Sequence, residues 1–161
     1  MMAVSNAPAE YEYLKRFFVH WWLHLEPARK VVPPQINPAN VLLASEARSS
    51  RSKLLPGLRQ AVGDVLETYE DHAPDFIAKA DAALAAAGAT TLSALWIERS
   101  RKFKALLKRS KLRNEGEYRL IEDLLSNTTA DIPTGERGTL NTMLRNYESR
   151  LKRKGPAEDS A

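Results

Sequence analysis

His20 and His24 stand four residues apart, a spacing that on a helix puts two imidazoles on one face, as a metal ion requires. A zinc-protease motif would place Glu directly after the first His, and here Trp21 holds that position. The remaining histidine, His72, follows Asp71 at a helix end, and only a specific fold could bring it to the pair. No third ligand is legible, so the spacing predicts no metal site. Carboxylates are no more specific. Glu70-Asp71 close a helix, and Glu122-Asp123 are helix neighbours that point in different directions. Neither is the pair across a cleft that glycoside hydrolysis uses. The absence of cysteine removes thiolate nucleophiles, disulfides and thiolate zinc sites together. Seven glycines are scattered singly, with no GxSxG, Walker-type or GxGxxG spacing. Ser93 and Ser100 read as ordinary helix residues. The sequence therefore points away from an enzyme, with no catalytic residue, no metal and no cofactor.

Charge is more informative. The net value of +4 hides blocks of opposite sign. Residues 54–90 hold two bases and six acids (−4), 91–113 eight bases and one acid (+7), and 114–136 one base and six acids (−5). On a helix through 91–112, Arg101, Lys104, Lys108 and Lys111 fall on the side turned away from the apolar stripe. Four cations on one face could meet successive phosphates, so this is the candidate nucleic-acid or anion face. The competing expectation is a solvated face neutralised by the acidic helices on either side.

These groups are carried on helices. Tyr11, Leu14, Phe18, Trp21, Trp22 and Leu25 recur at three- and four-residue steps from about 9 to 25. Val19 and Leu23 carry apolar groups round to the outer side, so the second half of that helix needs cover on two sides. Val19, Trp22 and Leu23 are accordingly the candidate interface with a partner or a second copy. Asn37-Pro38 signals a short helix to about Ala47, and SSRS at 49–52 a polar hinge. Further helices are predicted over 56–71, from Pro74 to a cap at Gly88, over 91–112, from the Asn114-x-x-Glu117 box, and through Leu140, Met143, Leu144, Tyr147 and Leu151.

No segment alternates like a strand. The expectation is an all-α fold, about six amphipathic helices in one irregular bundle spanning 9–151. Residues 1–8 and 152–161 read as disordered ends, and the proline-rich 26–38 segment as a sub-boundary. With 43% hydrophobic and 27% charged residues, the chain can bury a core without disulfide or metal. No secretory leader is read at the start, and the apolar run Phe17–Leu25 is far below the roughly 20 residues of a membrane span. The expected setting is cytoplasmic, without membrane contact. The surfaces left over suggest two functions: first a non-enzymatic protein-interaction module able to self-associate, and second a nucleic-acid-binding protein using the basic helix 99–113.

Overall fold

The computed structural model describes residues 7–159, with side chains as far as 153. Within them the chain forms eight α-helices and no strand. The architecture is all-α, as the periodicities imply, with eight helices in place of about six.

The first helix, α1 (Ala7–His20), runs into a wider π turn over Trp21–Leu25. The Glu26 N–H closes that turn on the Trp21 carbonyl at 2.8 Å, and the Trp21 indole N–H donates to Glu26 Oε1 at 2.9 Å. Pro27 has no N–H to carry the ladder further, so the chain leaves the helix there. Tyr11, Leu14, Phe17 and Phe18 are buried on α1, which packs against α3 (Arg51–Glu67) and its Leu55, Leu58, Val62, Val65 and Leu66. Trp21 is buried against His72 and Phe76. Each such side chain contributes about 1.5–3 kcal/mol when fully buried. Packing, more than propensity, therefore holds both helices.

Between them, two 3-10 turns and the short α2 (Pro38–Ser45) fold back onto α1. Asn37 caps α2 by accepting the Ala39 N–H at 2.9 Å, and its amide donates to the Trp22 carbonyl at 3.2 Å. The proline-rich segment is thus tied to the body. The polar 49–52 stretch is less of a hinge than it reads. Ser50 accepts the Lys53 N–H and starts α3 at Arg51, five residues ahead of Pro56. Pro56 is exposed, so water can serve the carbonyl that the proline leaves without a donor.

The second half is α4 (Pro74–Ala86), α5 (Leu92–Arg99), α6 (Arg101–Arg109), α7 (Glu115–Ser126) and α8 (Thr134–Asp159). Gly88 ends α4 with φ +78°, letting the Ala89 N–H reach back to the Leu84 carbonyl at 2.9 Å. The expected single helix over 91–112 is broken. Ser100 adopts an extended backbone, its N–H closes α5 on Trp96, and its Oγ accepts the Phe103 N–H to cap α6. The break lets α5 bury Leu92, Leu95, Trp96 and Ile97 while α6 turns Phe103 and Leu106 inward.

The helix α8 runs on through Asp159, so most of the expected tail 152–161 is helical backbone. Extending an existing helix needs no new nucleus and Lys152, Arg153 and Lys154 favour it, although Gly155 and Pro156 oppose it. Of the expected N-terminal arm, Ala7 and Pro8 already belong to α1, and the rest lies outside the described residues.

Candidate functional site

The histidines separate. The His20 and His24 rings lie 4.7 Å apart on the outer side of α1 and its π turn, beside Glu12, Lys15, Arg16, Val19 and Leu23. Burial lowers the pKa of His20, and the neighbouring His24 lowers it further. His72 lies elsewhere, its ring against Trp21 and Phe76. Among the described residues, no three histidine or carboxylate side chains gather as a metal would require.

The cationic residues fare differently. On α6, Arg101, Lys104 and Lys108 share an arc of roughly 60°, opposite Phe103 and Leu106. Lys111 lies just beyond the helix, after the left-handed Ser110. All four are exposed, and none has a carboxylate partner among the described residues. The acids neutralise the flanking cations instead. Lys102 pairs with Glu70 at 2.6 Å, and Glu117 receives Arg109 at 2.7 Å and Arg113 at 3.3 Å. Glu117 is nearly buried, which pushes its pKa up. Hydrogen bonds from the Arg113 N–H and guanidinium, with the Arg109 charge, outweigh that and hold it below the usual carboxylate range.

A cleft of about 790 Å³ between α3 and α6 gathers Arg59, Arg99, Arg101, Lys102 and Lys104. Arg59 and Arg99 there share Glu10, at 2.5 and 3.4 Å. On α8 the Arg150 guanidinium donates to the Leu112 carbonyl, and Lys152 and Arg153 are exposed.

The expected apolar interface divides in the same way. Val19 is half-buried and Leu23 is 38% exposed, both beside the histidine pair. Trp22 turns the other way, half-buried against Pro38, Ala61, Val65 and Thr68. Adjacent side chains leave a helix about 100° apart, so Trp22 follows the core stripe while Leu23 joins Val19 on the outer side.

The larger apolar opening lies where the sequence stripes did not point. A groove of about 360 Å³ between α2 and α3 is lined by Phe18, Ile36, Val41, Leu42, Leu54, Gly57, Leu58 and Ala61, with Pro38 and Ser45 and no charged side chain. Ile36 is 64% exposed and Val41 46%. Past Ala61 the groove continues into a narrower crevice that reaches Asp64 and Thr68. A signal for it exists in the sequence: Val41 and Leu42 are adjacent, so a short helix cannot bury both. The proline-rich segment that delivers Ile36 has no period from which its exposure could be read.

The interior holds one polar network that reasoning from stripes missed. Asp81 is fully buried and accepts hydrogen bonds from Ser93 N–H at 3.1 Å, Ser93 Oγ at 2.6 Å and Asn127 Nδ2 at 2.9 Å. Since Ser93 gives its proton to Asp81, the Tyr69 hydroxyl, 2.8 Å away, donates to Ser93. Burial raises the pKa of Asp81 despite these donors. Ser93 itself is wholly enclosed, so the network positions α4, α5 and the 127–130 loop and offers nothing to a substrate. The readable signal was an acid on the apolar face of α4, between Ile77 and Leu84.

Among the described residues, no helix is long and apolar enough to cross a membrane. No protein-family model, no curated protein and no solved structure matches this chain.

Proposed function

We propose that this chain is a non-enzymatic helical interaction module that docks another polypeptide along the α2–α3 groove. One observation carries the reading: an uncharged apolar groove flanked by Ile36 and Val41, both standing in solvent. Large aliphatic side chains beside an open groove leave apolar area in water that a docked chain would remove. The surface shifts from Val19, Trp22 and Leu23 to the next element along. A photo-crosslinking benzoylphenylalanine in place of Val41 tests this, irradiated in an extract of the source cells. The expected product is a covalent adduct with a polypeptide, absent when Gly57→Glu is added. Capture of no polypeptide, or capture indifferent to Gly57→Glu, refutes it.

A second reading, nucleic-acid binding, draws on a separate observation, the absence of carboxylate partners at Arg101, Lys104, Lys108 and Lys111 among the described residues. Four phosphate contacts imply a log–log salt slope on the order of −3.6 on duplex DNA, and Lys104→Gln with Lys108→Gln should halve it. Fluorescence anisotropy at low and moderate salt measures both. No binding at micromolar protein in low salt, or a slope unchanged by the two substitutions, refutes it.

A further inference from the structure

The groove does not end in neutral surroundings. On α3, Lys53, Gly57, Gln60, Ala61 and Asp64 fall within an arc of roughly 100°, so they form one ridge along the groove's edge. Gly57 and Ala61 line the groove, and Asp64 lines the crevice that continues it. Lys53 and Asp64 are exposed, and neither has an ion-pair partner among the described residues. They lie about 16 Å apart along the helix axis, a cation at one end and an anion at the other. Between them the ridge has only small or neutral groups, and a Cβ built at Gly57 meets nothing within 4 Å.

We infer that the occupant of this groove is a second copy of the chain, paired about a two-fold axis through the Gly57–Ala61 stretch of α3. The inference rests on the docking reading above and names its partner. A two-fold interface must be complementary to itself, so each patch has to carry both halves of every contact. This patch does. Turning α3 antiparallel to its copy about the midpoint of the ridge sets Lys53 of each chain opposite Asp64 of the other. The same rotation sets Gly57 of each chain opposite Gln60 of the other, where the absence of a Cβ on Gly57 leaves room for the longer side chain. Ile36 and Val41 then stand beside the ridge as the groups that enter the other copy's groove, which is the same groove seen from the other side. A heterologous partner would need no such antisymmetry of charge.

The test is the mass of the full chain by sedimentation equilibrium at tens of micromolar, with four variants. Wild type should be a dimer of the 18.0 kDa chain. Gly57→Glu should be a monomer with an unchanged circular dichroism spectrum, since the new side chain enters open space and helix propensity improves. Lys53→Asp or Asp64→Lys alone sets like charges opposite each other twice per dimer, weakening association about tenfold. The double variant Lys53→Asp/Asp64→Lys reverses the pattern and should regain wild-type association, a result that only self-pairing gives. A monomeric wild type overturns the inference. So does a dimer indifferent to Gly57→Glu, or one that the double reversal fails to restore. If the crosslinker at Val41 still captures a different polypeptide in that case, the docking reading stands and only the second copy falls.

Discussion

Removing the Asp81 carboxylate should cost more stability than its single charge would suggest, because three donors converge on it, two of them fully buried. In Asp81→Ala the Ser93 N–H, the Ser93 hydroxyl and the Asn127 amide all lose their acceptor. An unsatisfied buried donor costs about 1–3 kcal/mol. Three effects reduce the sum. The Ser93 hydroxyl can turn toward the Tyr69 oxygen 2.8 Å away, and Asn127 is only half-buried, so water can reach its amide. Removing a carboxylate whose pKa burial has raised also removes a desolvation cost. The net expectation is a loss of about 2–4 kcal/mol, a large part of the 5–15 kcal/mol typical of a folded domain.

Asp81→Asn should lose roughly half as much, on the order of 1–2 kcal/mol. It keeps an oxygen for the Ser93 N–H but sets one amide donor against that of Asn127, which cannot flip freely because its oxygen receives the Thr129 N–H at 3.0 Å and the Thr129 hydroxyl at 2.8 Å. Urea unfolding of the two variants and wild type, followed by circular dichroism, measures both differences. The pH dependence adds a sign. With its folded pKa raised above the ordinary 3.8, Asp81 takes up a proton more readily in the folded state. Its contribution is full below 3.8 and is lost as pH rises through the raised value, so wild type should gain on Asp81→Asn as the solution is acidified. An alanine variant within about 1 kcal/mol of wild type would show that the network holds nothing together.

Glu117 should behave in the opposite sense. Its pKa is lowered in the fold, so the stability it supplies over Glu117→Gln is present above 4.5 and disappears as pH falls below it, which parallel urea curves would reveal. Equal curves for both proteins at neutral pH refute a stabilising role for the contacts of Glu117 with Arg109 and Arg113. Gly88→Ala should cost about 1 kcal/mol through its φ of +78° alone, since a Cβ there meets nothing within 4 Å; thermal unfolding measures it, and a stabilised variant contradicts the left-handed cap. Zinc should bind weakly or not at all at His20 and His24, which bring two ligands where structural sites use four. Micromolar one-to-one binding by calorimetry, abolished by His24→Ala, would overturn that.

The helical class, the caps and most of the buried faces are legible in the residue order alone. Asn37, Thr91, Asn114 and Gly88 act as their residue types imply, each serving backbone groups within five residues of itself. Such contacts depend on local spacing, which is why the sequence displays them. Tyr11, Leu14 and Phe18, and likewise Leu140, Met143 and Tyr147, are buried as their period requires.

The break at Ser100, the π turn over Trp21–Leu25, and the escape of Arg101, Lys104, Lys108 and Lys111 from the acidic helices depend on tertiary packing. In each case the competing local states differ by little. A serine can cap a helix or sit inside one, and a π turn differs from an α turn by one inserted residue, so packing partners far along the chain make the choice. The same holds for Asp81, an acid on an apolar face until Ser93 and Asn127, from 12 and 46 residues away, give it three donors. The groove belongs to the same class. Its walls come from α1, α2, α3 and a proline-rich turn, and an opening between elements has no period that a single segment can display.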